Sequence, residues 1–304
     1  MKRALIFGAN GFVGPYLTTE LSNNGYEVIC CGHNENPHDN FHAIDITNFN
    51  DVYDVLSKEE PDVVFNLAAI SSVSYSWRNP QKTVNVNIIG TINILESCAK
   101  VCPKTKILLI GSCEEYKTSN NPVSENSPVF PINPYGITRT ATEDFARIYR
   151  IEYGLNIICI RAFNHTGVGQ TTNFVLPSFV KQTADISKSK SSGEILVGNL
   201  NVFRDFSDVR DVVTAYRMIA DSKEDIDVIN VGSGTAYNLK DLLNYIITLS
   251  DQSITIKIDE SKIRPTDIQY SCCDNTYLRE KINWSPKYNI YDTLKNMYNH
   301  YLQG

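Results

Sequence analysis

The chain has 304 residues, 42% of them hydrophobic and 20% charged, with a formal net charge of −6. That length exceeds the usual single core, so one large domain with a smaller attached lobe is expected. The acidic balance argues against a general nucleic-acid binder, and no apolar run approaches the ~18 residues needed to span a bilayer.

The chain opens on its densest signal. Ala4-Leu5-Ile6-Phe7 feeds Gly8-Ala9-Asn10-Gly11-Phe12-Val13-Gly14, and the segment from Tyr16 to Leu21 follows with helical spacing. A strand, a glycine-rich turn and a helix in that order seat the pyrophosphate of a dinucleotide on a helix N-terminus. The amide N–H groups there lack partners, and the helix dipole adds positive charge. Gly8 suits the tight turn, Gly11 lets the backbone approach the phosphates, and Gly14 lets helix and strand pack closely. The apolar run stops at Gly8, so it reads as a core strand and not as a signal peptide.

Further along, Tyr26–Cys31 reads as a strand, Phe49–Ser57 as a helix, Val63–Leu67 as a strand and Lys82–Val101 as a long helix. Ile107–Ile110 is a strand, Tyr135–Tyr153 a helix and Ile157–Ile160 a strand. This βαβ rhythm predicts an α/β fold of the Rossmann type, a doubly wound parallel sheet covered on both faces. Continuously apolar strands such as Val63-Val64-Phe65 fit it. From Gly167 to Val202 the chain is rich in Ser, Gly and Lys, with little strand–helix rhythm. Asp208–Ala220 then reads as a helix, Val228–Val231 as a strand, and 236–304 as helical. The expected division is a dinucleotide-binding domain over 1–166, rejoined by 205–235. A smaller substrate-binding lobe takes 167–204 and 236–304.

The eight cysteines include two adjacent pairs and no Cys-x-x-Cys spacing. They read as buried reduced thiols of a cytoplasmic protein. His33, His38 and His42, with Asp39 and Asp45, read as solvated loop residues, and no metal site is expected.

Ser112 follows a strand, which places its hydroxyl at the carboxyl end of the sheet, where open α/β folds bind ligands. Tyr135 and Arg139 lie four apart on one helix face. A tyrosine hydroxyl ordinarily ionises near pH ~10, so a fixed cation beside it makes it useful in proton transfer. The arrangement resembles the Ser–Tyr–Lys centre of short-chain dehydrogenases/reductases, with Arg139 at the place of the lysine. NAD enzymes place a carboxylate at the end of the second strand. Gly32-His33-Asn34 stands there, with Glu35 further along. That leans towards NADP(H) over NAD(H), although no arginine is present to bind a 2′-phosphate.

The middle of the chain narrows the resemblance. Ser71-Ser-Val-Ser-Tyr-Ser-Trp77, Asn87-Ile-Ile-Gly-Thr91, Arg161 to Gln170, Gly198-Asn-Leu200, Arg204 to Tyr216 and Arg264-Pro265 fall in order. Together they resemble the extended short-chain dehydrogenases acting on nucleotide sugars, above all the GDP-4-keto-6-deoxy-D-mannose reductases and the GDP-mannose 4,6-dehydratases. The resemblance implies that Asn10, Phe12 and Val13 join the glycines around the cofactor, with His33 beyond the second strand. Asp45 and Ile46 would meet the adenine, Leu67, Ala68, Ala69 and Asn87 would line the cleft, and Phe163 would lie near the nicotinamide. Ser71 and Asn164 would reach the sugar, and Val175, Gly198 and Asn199 would hold the nucleotide. Arg204 and Arg264 would clamp the diphosphate, whose oxygens a guanidinium matches bidentately.

The implied reaction is NAD(P)-dependent oxidoreduction at C4 of a GDP-sugar, most simply GDP-4-keto-6-deoxy-mannose. Tyr135 exchanges the proton, Ser112 bonds the C4 oxygen, and Arg139 holds the ribose and biases Tyr135. Glu114 stands where dehydratase relatives carry a catalytic glutamate. A cofactor-retaining 4,6-dehydratase or 4-epimerase therefore stays open, as does a ligand-binding paralogue with little turnover. The helices 82–101 and 135–153 correspond to those that pair across dimers in related enzymes, so a homodimer is expected. Neither a nucleic-acid nor a membrane partner is.

Overall fold

A computed structural model describes residues 1–34, 40–263 and 268–303. The first stretch runs β1 (Lys2–Phe7), α1 (Gly14–Asn23), β2 (Tyr26–Gly32), β3 (Phe41–Ala43), α2 (Phe49–Glu59) and β4 (Val63–Asn66). Next come α3 (Val73–Arg78), α4 (Pro80–Val84), a π turn over Asn85–Ile89, α5 (Gly90–Val101), β5 (Lys106–Ile110), α6 (Pro134–Tyr153) and β6 (Asn156–Ala162). After these follow β7 (Asn164–Thr166), α7 (Val175–Ser189), β8 (Gly193–Val197), β9 (Phe203–Asp208), α8 (Val209–Asp221) and β10 (Val228–Val231). The last stretch holds β11 (Ala236–Asn238), α9 (Leu239–Thr248), β12 (Ile254–Ile258), β13 (Tyr270–Ser271), α10 (Thr276–Ile282) and α11 (Ile290–Gln303).

Seven strands form one parallel sheet in the order β10-β6-β5-β4-β1-β2-β3. Successive side chains on a strand point to opposite faces, and both faces here are covered. On β1, Ala4 and Ile6 pack with Leu17 and Leu21 of α1 and Val212 and Tyr216 of α8. Leu5 and Phe7 pack on the other side with Leu56 of α2 and Ile94 and Leu95 of α5. That two-sided burial is why the strand reads as an unbroken apolar run. The winding reverses between β1 and β4, and Phe7 stands opposite Cys31 and Asn66 in register. The carboxyl ends of β1, β2 and β4 therefore open together at the switch point, where such sheets bind ligands.

A second cluster joins Leu176 and Val180 of α7, Ile195 and Val197 of β8, Leu242 and Leu243 of α9 and Leu294 of α11. β9 pairs with β7, β11 and β13 in a small sheet beside it. Among the described residues no helix is long and apolar enough to cross a membrane.

Three features depart from the sequence expectation. Residues 167–202 hold the fifteen-residue α7, whose apolar face (Leu176, Phe179, Val180, Thr183, Ala184) is masked in the sequence by the Ser/Lys run at its end. The tail 236–304 is not purely helical, since it supplies β11, β12 and β13. Within that tail, Leu278 and Ile282 of α10, with Trp284, pack into the α1/α8 side of the main sheet instead of the lobe. The Trp284 indole N–H donates to the Asp211 carbonyl at 3.1 Å.

Candidate active site

The turn after β1 is built from main-chain bonds. The Gly8 and Ala9 N–H groups both donate to the Cys31 carbonyl at 2.9 Å, and the Gly11 N–H donates to the Gly8 carbonyl at 3.0 Å. Gly8 sits at φ +83°, and a Cβ there would lie 2.6 Å from the Ala68 nitrogen. A Cβ on Gly14 would collide with the main chain of Ala9. The first turn of α1 has no side-chain cap and no acidic residue, whereas Asn48, Asn133, Asp208 and Asn238 cap α2, α6, α8 and α9. Its first-turn amides therefore have no side-chain acceptor, and donors and space together fit a dinucleotide pyrophosphate. The Asn10 amide donates to the Asn34 carbonyl at 3.0 Å, which ties the turn to the segment after β2. Phe12 stacks on His165 at 6.1 Å between ring centroids, Val13 is half-buried, and His33 is exposed.

Asp45 and Ile46, expected beside the adenine, follow β3. Burial pushes the Asp45 carboxyl up, but the Thr47 N–H and hydroxyl outweigh it and hold that carboxyl below its ordinary value. The chain after β4 is held from behind. The Leu67 N–H donates to the Phe7 carbonyl at 2.9 Å and the Ala68 N–H to Asn66 Oδ1 at 3.2 Å, and Ala69 is half-buried. Asn87 lies in the π turn, an irregularity frequent at functional sites. Its amide is taken up by the protein: Oδ1 accepts from the Ile70 N–H at 2.8 Å, and Nδ2 donates to the Ile70 carbonyl and to Thr138 Oγ1. Asn87 thus clamps the loop to α6 rather than offering its side chain to a ligand.

Beyond β5 stand the residues expected to form the reaction centre. Ser112 is buried and caps a short 3₁₀ turn, with its Oγ accepting from the Glu114 N–H at 3.2 Å. Tyr135 and Arg139 stand on the first turns of α6, both buried. Arg139 Nε donates to the Tyr135 hydroxyl oxygen over a long 3.4 Å. That is the one hydrogen bond of the Arg139 side chain among the described residues, so its terminal N–H groups remain for a ligand. Glu114 is not free. Its Oε2 accepts from the Asn133 amide at 2.8 Å, while Asn133 Oδ1 accepts from the Gly136 N–H at 2.8 Å and caps α6.

Phe163 is buried against Tyr116, Val123 and Cys273, so its ring belongs to a small core cluster and does not line an open cleft. Asn164 is half-buried on β7, with its amide 3.4 Å from the Asp205 carbonyl, and Ser71 is exposed ahead of α3. Burial, and next the Glu114 charge, push the Cys113 thiol up to about 12, against the pull of Arg204. Arg204 therefore bears on the segment that carries Ser112. Val175 starts α7, and Gly198 and Asn199 follow β8, where a Cβ on Gly198 would lie 2.7 Å from the Lys262 carbonyl. Arg264, like Glu35, His38 and Asp39, lies outside the described residues.

Four further residues shape the site without a sequence signal having singled them out. Asn133 could have been read from the Asn-Pro pair that opens a helix. His165, Asp205 and Glu115 could not, because their importance lies in burial. Asp205 accepts from the N–H groups of Ser233, Gly234 and Cys273, and so pins β9 to the loops that follow β10 and β13. Glu115 is 1% exposed directly behind Ser112.

The family described as GDP-mannose 4,6 dehydratase matches residues 5–297. The chain belongs to that family. It is 30% identical to a GDP-6-deoxy-D-talose 4-dehydrogenase from Aggregatibacter actinomycetemcomitans, over 88% of this chain and 86% of the relative. It is 26% identical to the GDP-6-deoxy-D-mannose reductase of Pseudomonas aeruginosa, over 97% of this chain and 95% of the relative. The solved structure of RMD from Pseudomonas aeruginosa complexed with NADPH superposes with a TM-score of 0.89 at 26% identity, covering 100% of this chain and 99% of that one. The relatives are nicotinamide-dependent nucleotide-sugar enzymes, and this chain is an enzyme of that kind.

Proposed function

We propose that the protein reduces the C4 ketone of GDP-4-keto-6-deoxy-mannose, or a close GDP-sugar, with NADPH. The observation that carries this reading is the bond between Glu114 and Asn133. Dehydration needs a carboxylate free to take the C5 proton, and here the carboxylate at that position is anchored to the residue that caps α6. The NADPH complex of a relative and the absence of an acid at Gly32-His33-Asn34 support the choice of cofactor.

A nicotinamide dinucleotide bound along the β1 turn and the Leu67–Ala69 edge supplies the hydride to C4. The Tyr135 hydroxyl gives its proton to the C4 oxygen, so that ketone, hydride and proton together make the alcohol, and solvent returns the proton to Tyr135. Ser112 donates a hydrogen bond to the same oxygen. Arg139 hydrogen-bonds the Tyr135 oxygen and offers its terminal N–H groups to the ribose hydroxyls. Ser71 and Asn164 reach the sugar, Val175, Gly198 and Asn199 hold the nucleotide, and Arg204 with Arg264 grips the diphosphate. On this reading the main sheet holds the cofactor and the lobe around α7, α9 and α11 holds the sugar nucleotide.

The protein acts as a cytoplasmic homodimer. An apolar stripe on α6, formed by Ile137, Ile148 and Ile151, is exposed beside Val84 and Ile89 on the adjoining helical run. Such a face suits a second copy of the same helices. The test is incubation with GDP-4-keto-6-deoxy-mannose and NADPH or NADH, and with GDP-mannose, followed by product mass. A gain of two hydrogens from the keto-sugar supports the reading. Loss of water from GDP-mannose, or binding without turnover, overturns it.

A further inference from the structure

The β7–β9 pair turns one face to the lobe and the other towards the turn after β1. Thr166 and Asp208 bond to Met297 and Thr293 of α11, and Phe206 joins the lobe core. Successive side chains alternate, so His165 and its register partner Ser207 lie on the opposite face. There the His165 ring stacks on Phe12 of the β1 turn, with 6.1 Å between centroids and 9° between planes. His165 Nδ1 stands 3.0 Å from the Phe163 carbonyl, and the Phe163 N–H donates in turn to the Val231 carbonyl at 2.8 Å. A carbonyl only accepts, so Nδ1 carries the hydrogen, and Nε2 of the neutral ring is an acceptor. Burial holds the imidazole below its ordinary pKa, against the Phe163 carbonyl, which favours that neutral form. Nε2 has no hydrogen-bond partner among the described residues, and the half-buried ring does not seal it off. The Ser207 hydroxyl on the same face is buried and likewise without a partner.

We propose that His165 orients the nicotinamide ring of the cofactor, with Nε2 accepting from an N–H of the carboxamide. Its location selects the ligand. His165 touches the turn that suits the pyrophosphate, and it follows β6, which pairs with β5 and so adjoins the strand that leads to Ser112. A dinucleotide seated on the turn crosses this interval for its nicotinamide to reach Ser112 and Tyr135. The chemistry selects the group. An acceptor needs a donor, and the nicotinamide half carries donors on its ribose hydroxyls and on its carboxamide. The ribose hydroxyls go to Arg139 in the proposed function, which leaves the carboxamide to His165. A neutral acceptor also suits the oxidised ring, whose positive charge an imidazolium would repel. Holding one carboxamide N–H fixes the rotation of the ring, and with it the direction in which its reactive carbon points.

The inference rests on the proposed seating of the dinucleotide along the β1 turn, and its test reads binding instead of turnover. Isothermal titration compares NADP+, its acetylpyridine analogue, in which a methyl ketone replaces the amide, and adenosine 2′,5′-bisphosphate, which lacks the nicotinamide half. Wild type is expected to bind NADP+ about tenfold tighter than the analogue, as the loss of one hydrogen bond implies. In His165→Phe, which keeps a ring on Phe12, the two should bind within about twofold of each other, and the bisphosphate as in wild type. Should His165→Phe fail to fold, His165→Asn decides, because its amide keeps a donor at the place of Nδ1 and lacks Nε2. Equal binding of NADP+ and the analogue by wild type overturns the inference, as does a preference that survives in the variant. A variant that loses the bisphosphate as strongly as NADP+ also overturns it, since His165 would then only support the turn. Failure of the seating appears separately, as a wild type that binds neither NADP+ nor the bisphosphate, and it takes the inference with it.

Discussion

The Glu114 carboxylate and the Asn133 amide form a 2.8 Å hydrogen bond that joins the turn carrying Ser112 to the helix carrying Tyr135. Because the other end of Asn133 caps α6, one side chain fixes both halves of the centre. Asn133→Ala is expected to lower stability by about 1 kcal/mol, as loss of a cap does. It should also lower kcat by about tenfold through misplacement of Tyr135. Glu114→Gln retains an acceptor for the amide and should keep reduction within about threefold, because no proton passes through Glu114. Steady-state kinetics and thermal melts on both variants check this. Loss of turnover in Glu114→Gln by about a hundredfold would return Glu114 to the chemistry.

Arg139→Lys restores the residue typical of the short-chain dehydrogenases but removes the terminal fork. The single bond to Tyr135 is long at 3.4 Å, and an ammonium can replace its charge. The paired contacts proposed between the fork and the ribose hydroxyls cannot be replaced by an ammonium. KM for NADPH is therefore expected to rise about tenfold with a smaller change in kcat. A kcat collapse with unchanged KM would place the role of Arg139 on Tyr135 alone.

Gly8→Ala tests the turn. Its φ of +83° and the close Ala68 main chain leave no room for a methyl group, and strain of about 1–3 kcal/mol is expected. Isothermal titration should show NADPH binding weakened by at least about tenfold. Gly154→Ala is the control: it shares a positive φ of +64° but has open space around it and lies far along the chain at the end of α6. It should cost some stability and leave cofactor affinity alone.

Ile148→Asp with Ile151→Asp puts two charges on the exposed stripe of α6. Neither side chain belongs to the buried core, so the fold is expected to survive while the dimer dissociates at micromolar concentration. Light scattering reads the outcome. An unchanged mass would show that this face does not join two copies.

Most of the sheet was legible because its strands are buried on both faces and its turn residues are unambiguous, as in Ala4–Phe7 followed by Gly8. The helix α7 was not, since a third of its length is Ser and Lys, and only the spacing of Leu176, Phe179, Val180 and Thr183 marks the buried side. β3 has three residues, too few for any period. In the site, the helix spacing brought Tyr135 and Arg139 together correctly, but it could not reveal what a buried group faces. Glu114 and Glu115 are adjacent acids in the sequence. In the fold one meets Asn133 and the other is sealed behind Ser112. Asn87 and Phe163 illustrate the same limit. Both lie where a cofactor-lining residue was expected, yet their side chains are consumed by protein contacts.

The proposed function stands on hydride transfer to C4 assisted by Tyr135. Its most direct measurement uses NADPH deuterated at the nicotinamide C4 with GDP-4-keto-6-deoxy-mannose, analysed by mass and NMR of the sugar product. One deuterium at C4 is expected from the wild type, with Tyr135→Phe slowed by about 10²–10⁴ while still binding both ligands. A product without deuterium at C4, or a Tyr135→Phe variant that keeps more than about a tenth of wild-type turnover, would contradict it.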